Sequence, residues 1–183
     1  MPVRVSVIIV SYNSEGFIEK FINSVLKNLP SGGEVIVLDN ASVDRTVEIL
    51  EKFSGKIKLV KSSENLGFSK GNNKAVKETS GEYLFFLNPD TEIEEPVFDK
   101  LMKFYEQTKD AGVVSPKLIM ENGEVQTSVR KLPTVLGAFK EYILGIKNAY
   151  DQYVPETEVP LKVEMVYGAA MLIKKDLFEK VGG

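Results

Sequence analysis

Four short apolar runs, each ending in a polar cluster and separated by helical repeats, constrain this chain more than any other feature. Val5-Ser6-Val7-Ile8-Ile9-Val10 is rich in β-branched residues and scarcely alternates, the pattern of a strand covered on both faces. It runs into the polar turn Ser11-Tyr12-Asn13-Ser14. Phe17, Ile18, Phe21, Ile22, Val25 and Leu26 then repeat at helical spacing until Pro30-Ser31-Gly32-Gly33 stops them. The second run, Glu34-Val35-Ile36-Val37-Leu38, ends in Asp39-Asn40-Ala41-Ser42, where Ser42 or Asp44 can cap a helix carrying Val47, Leu50 and Phe53. Ile57-Lys58-Leu59-Val60 is the third. A polar loop, Gly67 and a helix containing Ala75 and Val76 follow, with Gly81 the expected end of that helix. Tyr83-Leu84-Phe85-Phe86-Leu87 is the fourth run and ends in Asn88-Pro89-Asp90.

Strand–helix alternation at this spacing predicts an α/β fold with a mostly parallel central sheet and helices on both faces. Ligands of such sheets collect beyond the carboxyl ends of the strands. Three polar clusters fall there: Ser11-Tyr12-Asn13, Asp39-Asn40 and Asn88-Pro89-Asp90. Pro96 suits the first turn of a further helix with Leu101, Met102 and Tyr105. Beyond it the style changes. Val113-Val114 starts a strand, and Asn122-Gly123 between Leu118-Ile119-Met120 and Val125-Gln126-Thr127 signals a hairpin. Residues 131–160 read as irregular with a short helix near 138–144. Residues 163–173 read as one long strand and 174–181 as a short helix. No repeat or linker divides the chain, so the expectation is one domain with an elaborated second half.

Composition removes several chemistries. The chain of 183 residues has no cysteine, which excludes disulfides, thiolate catalysis and cysteine-based zinc sites. It has no histidine either, so acid–base work and metal binding fall to carboxylates, amides, hydroxyls, Lys or Tyr. An oxygen-only ligand set points to Mg²⁺, Mn²⁺ or Ca²⁺. A formal net charge of -3 with scattered basic residues argues against a nucleic-acid partner. The first strand is too short to span a bilayer, and it has neither the charged leader nor the cleavage site of a signal peptide. A cytoplasmic chain is expected, with contact to the membrane surface through a lipid-linked acceptor.

Each cluster admits two readings. Asp90 can hold a divalent cation bridging a diphosphate, or Asn88-Pro89-Asp90-Thr91 is simply a turn. Asp39 can accept hydrogen bonds from a ribose hydroxyl or a base N–H, or it forms a cap or Asx-turn. Tyr12 can stack on a nucleobase or support the adjacent helix. Asn65-Leu66-Gly67-Phe68 and Gly71-Asn72-Asn73 can bring backbone N–H groups to phosphates, or form an ordinary glycine-containing loop. Arg130 can pair with a phosphate or lie in solvent. Tyr142, Ile143, Ile146 and Tyr150 form either a patch for a lipid or partner, or a lid or plain core.

The order of these motifs resembles family 2 glycosyltransferases. The segment from Val5 through Asn13 is similar to that family's opening strand, and Val35-Ile36-Val37-Leu38-Asp39-Asn40-Ala41-Ser42 to its second strand with a base-binding aspartate. Asn65-Leu66-Gly67-Phe68 through Asn72-Asn73 resembles its donor-proximal segment. Leu87-Asn88-Pro89-Asp90 resembles the Asp-x-Asp variant of rhamnosyltransferase-like members. Tyr167-Gly168-Ala169-Ala170-Met171-Leu172-Ile173 with Phe178-Glu179-Lys180-Val181-Gly182-Gly183 looks like its acceptor-side strand and helix.

The resemblance implies a single GT-A-type domain over residues 1–183, with a donor-binding half at 1–110 and an acceptor-side half at 111–183. Val10, Ser11, Tyr12, Asn13, Asp39 and Asn40 would hold the nucleoside, and Gly67, Asn72 and Asn73 would lie near ribose or diphosphate. Asp90 would bind Mg²⁺ or Mn²⁺, with Asn88 standing where many relatives have an aspartate. The implied reaction is inverting transfer from a UDP- or dTDP-sugar to a glycan or lipid-linked acceptor, in cell-wall or polysaccharide biosynthesis. In that family the acidic base follows shortly after the Val-Gly-Gly segment. It is therefore expected beyond Gly183, leaving these residues with weak activity or none. A sugar-phosphate nucleotidylyltransferase would carry a glycine-rich, Arg-containing loop where this chain has Ser11-Tyr12-Asn13-Ser14. A non-catalytic nucleotide-sugar-binding module is the other alternative.

Overall fold

The computed structural model describes residues 4–132, 134, 139, 142–145, 152–154 and 159–183. The chain forms two compact units, Met1–Val114 with Gly168–Gly183, and Ser115–Tyr167. The first unit contains β1 (Val5–Ser11), α1 (Ile18–Asn28), β2 (Gly33–Asp39), α2 (Thr46–Glu51), β3 (Lys58–Lys61), α3 (Gly67–Val76), β4 (Tyr83–Leu87) and α4 (Phe98–Gln107). The second carries β5 (Val129–Arg130), β6 (Gln152–Tyr153) and β7 (Met165–Val166). The chain then re-enters the first unit as β8 (Ala170–Lys174) and α5 (Lys175–Val181).

The five strands of the first unit lie in the order β3-β2-β1-β4-β8. All neighbours are parallel except β4 and β8. Because β1 is central, Val5, Val7, Ile8 and Ile9 are fully buried, which is why this strand reads as an unbroken apolar run. On one face Ile8, Ile36, Leu38, Leu84, Phe86 and Ile173 pack with Ala75 and Val76 of α3, and Leu177 and Phe178 of α5 lie against them. On the other, Phe85 meets Phe98 and Tyr83 meets Tyr105 of α4, both edge-on at 5.2 and 5.6 Å. Such ring pairs each add about 0.5–1.5 kcal/mol to simple burial.

Helix α3 starts earlier than its apolar residues suggest, at Gly67, so Asn72 and Asn73 stand on the helix and not in a loop. It also ends before Gly81. The Thr79 amide and hydroxyl both donate to the Val76 carbonyl and close the last turn. The strand expected over residues 163–173 is two strands separated by a turn at Gly168 and Ala169. β7 pairs with β5 in the second unit, whereas β8 pairs with β4. Val114 makes only an isolated bridge, to Leu172. The Asn122-Gly123 turn is present, with Ile119 bridging Val125 and Gly123 at φ +83°. Within the second unit, the Arg130 guanidinium lies 4.9 Å from the centre of the Tyr167 ring. Most of the helix expected near 138–144, together with Ile146 and Tyr150, lies outside the described residues. Tyr142 and Ile143 are exposed. Among the described residues no helix is long and apolar enough to cross a membrane.

The amino ends of the strands are locked by one carboxylate. Glu34 Oε1 accepts from Ser6 Oγ at 2.6 Å and from the Ser80 amide and hydroxyl at 2.6 and 3.0 Å, and Ser6 Oγ accepts the Gly81 amide. Burial raises the Glu34 pKa, but the hydrogen bonds from Ser6, Ser80 and Gly81 outweigh it and hold the carboxyl below its ordinary value. A depressed folded pKa contributes stability above the unfolded pKa, lost as pH falls through the folded one. Glu34→Gln is therefore expected to lower stability at neutral pH and to flatten its decline in acid. Denaturant melts from pH 7 to pH 3 check this, and identical pH slopes for both proteins would contradict it.

Gly81 lets the chain cross β1 at close range. A Cβ there would stand 2.6 Å from Ser6 Oγ, 2.7 Å from Ser6 N and 2.9 Å from the Val5 carbonyl carbon. Central-strand backbone cannot yield, so Gly81→Ala is expected to cost about 3 kcal/mol and roughly 6–12 °C of melting temperature. An unchanged thermal melt would show that the crossing is looser than this.

Candidate functional site

β1 stays paired with β2 to its last residue, Ser11 opposite Asp39, but its pairing with β4 ends at Ile8 opposite Phe86. From Ile9 onward β1 and β4 part. The strand order also reverses there, since β2 and β3 lie on one side of β1 and β4 on the other. A crevice at the carboxyl ends of strands beside such a reversal is where open α/β sheets take their ligands.

One wall of the crevice is a rim made from the loops after β1 and β2. The Asn13 amide donates to Ser42 Oγ at 2.9 Å, and Asn13 Oδ1 accepts the Val43 amide at 2.9 Å. The Ser14 amide donates to Thr46 Oγ1, the Glu15 amide to Asp44 Oδ2, and the Arg45 amide to Glu15 Oε2. This stitching holds Asn13 and Ala41 at positive φ, 47° and 66°. It commits Asn13 to scaffolding and leaves the Tyr12 ring half-exposed. Asp44 follows Ser42 as a candidate cap, and its Oδ1 accepts the Thr46 amide at 3.0 Å in an Asx-type turn ahead of α2.

At the base of the rim lie two buried polar groups without partners among the described residues. Asp39 is 2% exposed. Its Oδ2 accepts the Ser42 amide at 3.1 Å, whereas Oδ1 has no partner. Ser11 is fully buried and its Oγ is unpartnered too. The two residues are register mates on adjacent strands. An unmet buried carboxylate oxygen costs more than a kilocalorie per mole, and native folds rarely leave one without a use.

The Asn40 side chain is engaged by the loop that leads into α3. Its Nδ2 donates to Asn65 Oδ1 at 2.9 Å and to the Gly67 carbonyl at 3.3 Å, and its Oδ1 accepts the Leu66 amide at 2.8 Å. Asn65 Oδ1 also accepts the Gly67 amide. One amide thus fastens the end of β2 to the start of α3. Gly71 seats that helix, since a Cβ there would be 3.1 Å from a methyl of Val10. Asn72 is buried and donates to the Phe68 carbonyl, and Asn73 is half-buried beside Gly183.

Asn88-Pro89-Asp90-Thr91 is a turn, as its composition allows. The Asn88 carbonyl accepts from the Thr91 amide at 3.3 Å and from Thr91 Oγ1 at 2.8 Å. The Asn88 amide is tied to the Ala169 carbonyl at 2.9 Å, one step past the Leu87–Ala170 pair. Asp90 is exposed, and its carboxylate makes no hydrogen bond or ion pair among the described residues. Turn and ligand are therefore compatible. The turn holds a free carboxylate at the mouth of the crevice. No group of three or more His, Cys, Asp or Glu side chains able to hold a metal occurs among the described residues. A cation at Asp90 would therefore need oxygens from a bound diphosphate, which is how Mg²⁺ is usually taken.

The sequence matches the description "Glycosyl transferase family 2" over residues 6–182. The chain belongs to this family. Its relatives include the Staphylococcus aureus poly(ribitol-phosphate) beta-N-acetylglucosaminyltransferase TarS, 33% identical over 170 residues, covering 84% of this chain and 30% of TarS. The Bacillus subtilis "putative teichuronic acid biosynthesis glycosyltransferase TuaG" is 36% identical over 103 residues, covering 55% of this chain and 41% of TuaG. The chain thus spans less than half the length of either. A crystal structure of S. aureus TarS 1-349 with UDP aligns at TM-score 0.52 and 28% identity, covering 66% of this chain and 43% of that one. The Pyrobaculum calidifontis mannosyltransferase PcManGT, solved with GDP-Man and Mn²⁺, aligns at TM-score 0.66 over 100% of this chain and 48% of its own. At 21% identity that likeness speaks for fold alone. The family 2 chain has the GT-A fold of these neighbours.

The Asn40 bridge yields a test. Asn40→Ala is expected to cost about 1–3 kcal/mol and to accelerate hydrogen exchange at Leu66, while the β1 amides stay protected. Unchanged protection at Leu66 would contradict the assigned role.

Proposed function

We propose that this chain binds a nucleoside-diphosphate sugar in the β1/β4 crevice and presents it for glycosyl transfer. The observation that carries the reading is the pair of unpartnered buried groups, Ser11 Oγ and Asp39 Oδ1, at the carboxyl ends of neighbouring strands. Asp39 Oδ1 accepts a base N–H, and Ser11 Oγ donates to an adjacent carbonyl. That pairing suits the imide edge of uracil or thymine. Guanine offers two neighbouring N–H donors and would want both carboxylate oxygens, one of which is taken by Ser42. The half-exposed Tyr12 ring stacks on the base, with Val10 beneath it, while the stitched rim at Asn13 and the Asn40 clamp to the start of α3 hold the pocket's shape. Gly67, Asn72 and Asn73 lie toward ribose and diphosphate, and Asn88 toward the sugar.

In this reading Asp90 would hold Mg²⁺ or Mn²⁺ together with the diphosphate. The cation would offset negative charge on the departing nucleoside diphosphate. The acceptor hydroxyl attacks the anomeric carbon from the side opposite the leaving group, giving inversion, and its proton passes to a base. Donor binding is assigned to residues 1–110 and acceptor contacts to residues 111–183. The similarity to TarS and TuaG supports a glycan or lipid-linked acceptor in cell-wall biosynthesis, reached at the membrane surface.

Calorimetry with Mn²⁺ present tests the donor site. UDP or dTDP is expected to bind more tightly than GDP, and Asp39→Ala to weaken UDP by roughly 10- to 150-fold. Asp90→Asn is expected to remove the metal's contribution and leave metal-free binding intact. No binding of any nucleoside diphosphate by the wild-type chain would refute the reading.

A further inference from the structure

Phe68 is an aromatic residue in the first turn of α3, and 49% of it is exposed, so burial alone does not explain its position. Its ring tip rests on the backbone of Gly168. A Cβ at Gly168 would lie 2.8 Å from Phe68 Cζ and 3.1 Å from Cε1. A glycine at 168 is what allows the ring tip to come this close to the chain. That contact joins two sides of the crevice that are otherwise built separately.

On one side, Phe68 follows directly on the Asn65-Leu66-Gly67 segment that Asn40 clamps to the end of β2, next to Asp39. Gly71, three residues on, presses the same helix against Val10 of β1. On the other side, Gly168 precedes Ala169, whose carbonyl accepts the Asn88 amide, and Asn88 closes the turn that carries Asp90. The path runs from the proposed base pocket through Asn40, the loop, Phe68, Gly168, Ala169 and Asn88 to the proposed metal carboxylate. Every link is a hydrogen bond, a covalent step or a van der Waals contact.

Resting on the donor-site reading, we propose that Phe68 is a positioning residue that sets the span between the nucleobase pocket and the Asp90 turn. The diphosphate and its cation must reach from one to the other, so the cation's share of the binding energy depends on that span. Without the ring, the base pocket keeps its own hydrogen bonds, but the turn loses its lateral stop. The expected signature is loss of coupling between cation and nucleotide, with nucleotide binding itself retained.

The test is UDP affinity measured with Mn²⁺ and again in EDTA, for the wild-type chain, Phe68→Ala, Phe68→Tyr and Gly168→Ala. In Phe68→Ala the Mn²⁺-to-EDTA affinity ratio is expected to fall by about tenfold, with the EDTA value held within about twofold. Phe68→Tyr keeps the ring and restores the ratio. Gly168→Ala keeps the ring but crowds its tip, and lowers the ratio in the same direction. It decides the matter if Phe68→Ala does not fold. Wild-type ratios in both Phe68→Ala and Gly168→Ala overturn the proposal, as does an equal loss with and without metal. Absence of UDP binding, or of any strengthening by Mn²⁺, in the wild-type chain refutes the donor-site reading instead, and this proposal falls with it.

Discussion

The parting of β1 from β4 after Ile8 is the constraint on which the rest of the site depends. Had the ladder continued, the backbone groups beyond Ile8 would be spent on pairing and the sheet would end flush. Because β1 continues alone with β2, its last residues and those of β4 form two sides of a gap whose floor is the sheet itself. The polar clusters at the three strand ends are brought together by this geometry, although 28 residues separate Ser11 from Asp39 and 51 separate Asp39 from Asp90.

Stability and chemistry are divided between the two ends of the sheet. At the amino end, Glu34, Ser6, Ser80 and Gly81 meet one another's hydrogen-bonding needs, and a glycine allows the crossing. At the carboxyl end the polar groups fall into two sets. Asn13, Ser42, Asp44 and Thr46 join the loops after β1 and β2 into a stiff rim, and Asn40 is taken up by Asn65, Leu66 and Gly67 at the start of α3. Ser11 Oγ, Asp39 Oδ1 and the Asp90 carboxylate are left over. Tyr83 Oη is a further buried group without a hydrogen-bond partner among the described residues, and desolvation pushes its pKa up to about 12. It lies at the first residue of β4, away from the crevice, so an unpartnered group alone does not mark a ligand site. What distinguishes Ser11 and Asp39 is adjacency on one register step beside a strand-order reversal.

Much of this was legible in the sequence for a definite reason. Strands buried on both faces must be apolar throughout, so β1, β2 and β4 announce themselves, and the polar residues that end them stand out. Side-chain assignments were less legible. An amide such as Asn40 can serve a ligand or a loop, and its partners lie 25 to 27 residues away, beyond any local pattern. The first turn of α3 holds Gly67, Ser69 and Lys70 with one half-exposed apolar residue, Phe68, so periodicity missed where the helix begins. The break at Gly168 hid inside an apolar stretch because residues on either side of it serve different sheets. The Phe68–Gly168 contact left only a faint trace, a glycine between an aromatic residue and two alanines.

The account's central claim is that Ser11 and Asp39 hold a nucleobase while Asp90 shares a cation with the diphosphate. A crystal structure of this chain with UDP and Mn²⁺ tests it most directly, with anomalous scattering used to place the metal. The account predicts the uracil N3–H within hydrogen-bonding distance of Asp39 Oδ1, a uracil carbonyl on Ser11 Oγ, and Mn²⁺ between Asp90 and the diphosphate. UDP bound elsewhere, or in the crevice with Asp39 and Ser11 still unpartnered, would contradict it.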